Sequence, residues 1–382
     1  MVPLVIASAA LDLCPALAQA PAAGPFDSTS LLAVAAGHAR EAATRIARPA
    51  RAPRPDAAAT QYLAGLAQLN RNQFDSALVP LRAAATANAN SALYHGDLAF
   101  ALAETGRWSD AEDEYRAAVR LQQANPWYFV GLGATQAAQA HWGQAAASYT
   151  LAVAADSAVV IQQLIAPASD AFQQAGMAQA LEDWARMATS RFPNEPIPWL
   201  RLASASYMRR DTVVGFPAIR RFRSLKPDDR VGAMLYSEYL LAAGQYDSAA
   251  VLAHQAAPDS SMRHLAAVVM YNVGGHLLQG GQFARATEVL QEGRELASAS
   301  DQPMYDLYLG IAKLRMLQVF YNEAAQHSDC RKSHAADSML TDVAHLVTAG
   351  VAADSAIANQ VLTGAIQQYR TAIDGFVRQC RR

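Results

Sequence analysis

The chain has 382 residues, more than one ordinary core serves, so it holds either several domains or one elongated array. Its 31 Lys and Arg against 33 Asp and Glu leave a net charge of −2, which excludes the electrostatic footprint of a nucleic-acid or anionic-membrane binder. Charged residues at 17% and aromatics at 8%, in an alanine-rich sequence, exclude a disordered polymer and predict abundant helix.

Residues 1–20, MVPLVIASAALDLCPALAQA, form an apolar run ending in Ala18-Gln19-Ala20, the small-x-small pattern of a secretory cleavage site, although no Lys or Arg precedes the run. The run is short and broken by Asp12, so it is not a membrane span. The expectation is an exported protein, periplasmic or extracellular, whose mature chain has no membrane span and keeps two cysteines, Cys330 and Cys380. Residues 21–57 follow as an N-terminal helix over 28–48, opened by Asp27-Ser28, and a stiff linker with prolines at 49, 53 and 55.

From 58 to 327 one pattern recurs. It reads NQFDSALVPLRAA at 72–84, GRWSDAEDEYRAAV at 106–119, AHWGQAAASYTLA at 140–152, GQYDSAAVLAHQA at 244–256 and GQFARATEVLQEG at 281–293. The small residues Ala77, Ala111 and Ala145 are 34 apart; Ala180, Gly215 and Ala249 continue at steps of 35, 35 and 34, and Ala286 follows after 37. A fixed period in this range marks a repeat architecture. Apolar spacing on both sides of a short turn predicts two helices per unit. Gly106, Gly244 and Gly281 stand where the first helix ends and a positive φ is needed. Pro126, Pro196, Pro227 and Pro303 fall between units, where a helix start tolerates a missing N–H.

With period, turn glycine and small and aromatic positions agreeing, this stretch resembles the tetratricopeptide repeat family, with seven clear units and a degenerate eighth at 303–327. The resemblance implies an all-α, right-handed α-solenoid, a superhelix of helix-turn-helix repeats, with 328–382 as capping helices. It also implies a concave groove lined by the first helix of each unit. The groove positions include Tyr62, Phe100, Trp127, Tyr207 and Tyr271, an aromatic set suited to a protein or peptide partner. The version of this groove that catches a peptide carboxylate needs Lys, Arg and Asn, of which only Asn70 and Arg201 are nearby.

Enzyme signatures are absent: there is no H-E-x-x-H, no G-x-S-x-G and no Walker loop, and Gly131-Leu132-Gly133 lies inside a repeat helix. No catalytic residue and no cofactor is expected. The one polar cluster, His327 to His334, places His327, Cys330 and His334 at i, i+3, i+7, which would share a face of a continuous helix and suit a soft metal. The even cysteine pair of an exported chain is most simply a Cys330–Cys380 disulfide; two free thiols and the metal site are the alternatives. The reading that follows is an exported scaffold or adaptor. Its alternative is a self-assembling subunit, built by end-to-end stacking or by docking of the 28–48 arm into another copy.

Overall fold

The computed structural model describes residues 28–46, 56–155 and 157–380; the expected cleavage segment 1–20 and the linker 49–55 lie outside them. All regular structure among the described residues is helical, and no described helix is long and apolar enough to cross a membrane. The chain divides into two compact units, one ending at Asp211 and the other beginning at Thr212.

The first unit opens with α1 (Ser28–Ile46). Four helix hairpins follow: α2–α3 (Ala57–Leu69, Phe74–Ala87), α4–α5 (Ala92–Glu104, Trp108–Leu121), α6–α7 (Pro126–Ala138, Trp142–Ala155) and α8–α9 (Ser157–Gln174, Ala178–Arg191), and α10 (Pro196–Met208) ends the unit. The second unit holds α11 (Thr212–Leu225), then the hairpins α12–α13 (Arg230–Ala242, Tyr246–Ala256), α14–α15 (Ser260–Gln279, Phe283–Leu296) and α16–α17 (Gln302–Gln326, Ser333–Ala349). It closes with α18 (Ser355–Gln360), a π-helical turn over Val361–Ile366, and α19 (Gln367–Cys380).

First and second helices of a hairpin start differently. Five of the first helices are capped by side chains: Asp56 accepts from Ala59 N, Ser91 from Tyr94 N, Asn125 from Trp127 N, Asp229 from Gly232 N and Asp259 from Ser261 N; α10 and α16 have no such cap. The second helices α3, α5, α9, α13 and α15 have no such cap and start two positions after a left-handed residue. That residue is glycine at 106, 176, 244 and 281, but Asn72, Ala140, Arg210 and Ser328 take the same positive φ, between 51° and 58°. The next N–H then reaches back to the last turn of the first helix, as in Gln73 N to Gln68 O, Arg107 N to Leu102 O, His141 N to Gln136 O and Asp329 N to Ala324 O.

Five positions beyond each left-handed residue sits a buried one: Ala77, Ala111, Ala145, Leu181, Gly215, Ala249, Ala286 and Ser333. Two expectations change. The fourth anchor is Leu181, fully buried, and not Ala180, because the turn at Gly176 lies two residues later than a strict period allows. The ladder also runs on to Ser333, so the line drawn at 327/328 falls inside the turn of a hairpin, and α17 is the partner of α16.

Small residues let the helices close up. A Cβ on Gly131 would stand 2.4 Å from Cε1 of Tyr115, and one on Gly133 2.5 Å from Cε1 of Tyr149. Both tyrosine rings are fully buried, so the backbone of α6 is pressed between the rings of α5 and α7.

Candidate functional site

In the first unit, the first helices of successive hairpins touch one another: α2 with α4, α4 with α6, α6 with α8 and α8 with α10. They make one continuous face. Part of that face is covered by the chain itself, because α1 packs on α4 and α6. Its contact stripe is Leu31, Leu32, Ala35, Ala36 and Ala39, all buried and spaced as one side of a helix. Ala33, Gly37 and Glu41 on the other side are exposed.

The polar contacts are as definite as the apolar ones. Arg40 Nε donates to Asp97 Oδ1 at 2.7 Å, and Tyr62 Oη donates to Asp97 Oδ2 at 2.7 Å. Asp97 is only 2% exposed. Burial pushes its carboxyl above the ordinary range, and the Arg40 charge and the hydrogen bonds from Tyr62 and Arg40 oppose that push. Burial, reinforced by the nearby Asp97 charge, raises the Tyr62 phenol, so this hydroxyl remains a donor. The Arg40 guanidinium lies 5.8 Å from the centre of the Phe100 ring. The His38 ring stacks on Trp127, 4.3 Å between centroids with 21° between planes. Asn125 Nδ2 donates to the carbonyl of Ala39 at 3.3 Å.

The groove residues named from the sequence therefore divide. Tyr62, Phe100 and Trp127 are brought together on one face and all three are buried there, with Phe100 and Trp127 directly under α1 side chains. Tyr207 is half-buried on α10. Tyr271 belongs to the second unit, where it is buried and packed against Tyr305 and Tyr308 at 5.5 and 4.9 Å. Arg201 is not available to a ligand carboxylate: it is buried, paired with Asp170, and donates to Gln173 Oε1 at 2.7 Å.

At the other end, Cys330 and Cys380 are bonded to each other, Cα to Cα 5.4 Å. His327, Cys330 and His334 do not share a continuous helix. α16 stops at Gln326, Cys330 lies in a 3-10 turn over Cys330–Lys332, and His334 is on α17. With its sulfur in a disulfide, Cys330 is not a metal ligand, and among the described residues no group of three or more His, Cys, Asp or Glu is placed to hold a metal ion.

The residues missed in the sequence are His38, Arg40, Asp97 and Asn125. One signal was present: Asp97 interrupts the apolar helix ALYHGDLAFALAE, where an unpaired carboxylate would be costly.

No family model and no curated protein matches the chain. Among solved structures it is similar to PilF of Pseudomonas aeruginosa, with 20% identity, a TM-score of 0.39, and coverage of 53% of this chain and 91% of that one. It is similar to MamA of Desulfovibrio magneticus RS-1 at 17% identity and a TM-score of 0.39, over 45% of this chain and 96% of the other. It is also similar to a tetratricopeptide repeat protein of Parabacteroides merdae at 12% identity and a TM-score of 0.43, over 67% and 98%. The hairpins share a period, a left-handed turn residue and a buried residue five positions later, the pattern by which the sequence resembles tetratricopeptide repeats.

Proposed function

We propose that this array of tetratricopeptide repeats, a protein-interaction scaffold, is exported and non-catalytic, and that it holds a helical segment of a partner protein on the first-helix face of its first unit. The observation that carries the reading is α1. The face already holds a helix there, through an apolar stripe, a ring stack, an ion pair and a hydrogen bond to a backbone carbonyl. A face lined by Tyr62, Phe100 and Trp127 is suited to that mode of recognition, since aromatics give large burial at small entropic cost. Export is supported by the apolar run and small-x-small ending of residues 1–20 and by the cysteine pair, which an oxidising compartment would keep joined.

The test is a photo-crosslinking amino acid placed at Tyr207, on the first-helix face, and at Val79, which is 77% exposed on the second helix α3. In the native host, adducts to one partner at position 207 and none at 79 are expected. Adducts only at position 79 would place the interaction on the other surface and end this reading.

A further inference from the structure

We infer that the face over α4 and α6 is a receptor for an alanine- and leucine-faced helix carrying an arginine, and that α1 is its built-in competitor, released when a partner helix of the same chemistry takes its place. This inference rests on the reading of the first unit as a helix-binding scaffold.

The recognition elements are set by the contacts of residues 31–40, LLAVAAGHAR. With the arginine taken as position zero, the small residues Ala39, Ala36 and Ala35 stand one, four and five positions earlier, and Leu32 and Leu31 eight and nine earlier. The alanines let the helix axis come close, and the leucines fill the space beyond them. The arginine is answered by Asp97, whose carboxylate is oriented by Tyr62 from a different hairpin, and by the Phe100 ring, over which its guanidinium lies. The ring before it is answered by Trp127, and the backbone by Asn125. Each answering group is on a repeat helix or its cap, and each would be left without this partner if α1 moved away. Asp97, buried at 2% exposure, is the sharpest case: it requires a cation, and the cation comes from α1.

α1 is set apart from the array it covers. Among its described side chains the buried stripe is two leucines and three alanines, with Val34 partly buried beside them. It precedes the repeat ladder, and the sequence between Ile46 and Asp56 holds three prolines.

The experiment uses the full chain and a fluorescent peptide of residues 28–46 as the probe, read by anisotropy. A Leu32→Asp chain, whose own α1 stripe is broken, is expected to bind the peptide at least about ten-fold more tightly than the wild type, because the competitor is loosened. The same peptide carrying Arg40→Gln is expected to lose about ten-fold or more on that chain. Should Leu32→Asp fail to fold by circular dichroism, the Arg40→Ala chain serves as the loosened form. Equal affinity for wild-type and loosened chains would show that α1 does not compete, and equal affinity of the two peptides would show that Asp97 does not read the arginine; either overturns the inference. A wild-type dimer by light scattering that disappears in Leu32→Asp would make a second copy the occupant, and overturns it as well. If the peptide fails on every chain while position 207 still captures a partner, only this inference falls and the scaffold reading stands.

Discussion

Arg40 and Asp97, 57 residues apart in the chain, meet at 2.7 Å, and the carboxylate they share with Tyr62 is buried beneath a helix that precedes the repeats. Removing the arginine strands that carboxylate. Arg40→Ala is expected to cost about 3 kcal/mol, or to release α1 outright if that is the easier relief. Limited proteolysis distinguishes the two: release shows as rapid cleavage within residues 28–46 while the repeats stay intact. Asp97→Asn keeps a partner for Tyr62, and should cost less than Arg40→Ala.

The turns make a second prediction. Ala140 holds a φ of 58° where three of the other repeats have glycine at φ above 70°. A left-handed alanine carries about 1–2 kcal/mol of strain, which glycine removes at some entropic cost. Ala140→Gly should therefore stabilise the protein by about 0.5–1 kcal/mol, and Gly106→Ala should destabilise it by about 1 kcal/mol. Urea denaturation with an unchanged slope is the measurement.

Close packing gives a third. The Cβ of Gly133→Ala would meet the fully buried Tyr149 ring, for which there is no open space to move into. Overpacking of this kind costs about 1–3 kcal/mol. Gly143→Ala is the control: nothing lies within 4 Å of its Cβ position, and in a helix alanine should be neutral or stabilising.

The pair His95 and Glu114, joined at 2.6 Å between α4 and α5, makes stability depend on pH. The hydrogen bond that His95 Nδ1 donates to Glu114 is the main cause that raises His95 above its ordinary 6.5, against a smaller opposing effect of burial. Because the folded state holds the proton more tightly, the contribution is complete below the unfolded value and is lost as pH rises through the raised one. Wild type should exceed Glu114→Gln in stability at about pH 5.5, and the gap should narrow by about pH 9.

A fifth prediction concerns the tail. The Cys330–Cys380 bond closes a loop with a sequence separation of 50. Its reduction should cost about 4 kcal/mol on the chain-entropy account. The loss should appear first as faster amide exchange in α19, which buries only Ile373 and Phe376 along its length.

How much of this was legible follows from how local each signal is. The period, the helix pairs and the glycine turns are local, and were readable. The sequence places the fourth anchor at Ala180 because alanine holds that place in most other repeats; the large Leu181 takes it, and only the position of the left-handed Gly176 separates the two. Ala140 and Arg210 take the turn conformation without the residue that announces it. The seat of α1 was not readable at all: an alanine-rich helix carries no address, and the arginine that fixes it to Asp97 acts across 57 residues. The contacts of Tyr271 with Tyr305 and Tyr308 were not readable either, since an aromatic facing a groove and one facing the next hairpin have the same helical spacing.

The tie between Cys330 and Cys380 also governs how the second unit answers a mechanical load. A pull on the C-terminus passes from Cys380 through the sulfurs to Cys330 and leaves residues 331–379 without tension, so α17, α18 and α19 cannot be peeled off one after another from the end. The force arrives instead at the turn that follows α16, and the unit must yield by losing that 25-residue helix or not at all. Under tension the segment beyond Cys330 thus hangs as a closed loop at the end of a rope, and unravelling has to begin at α16.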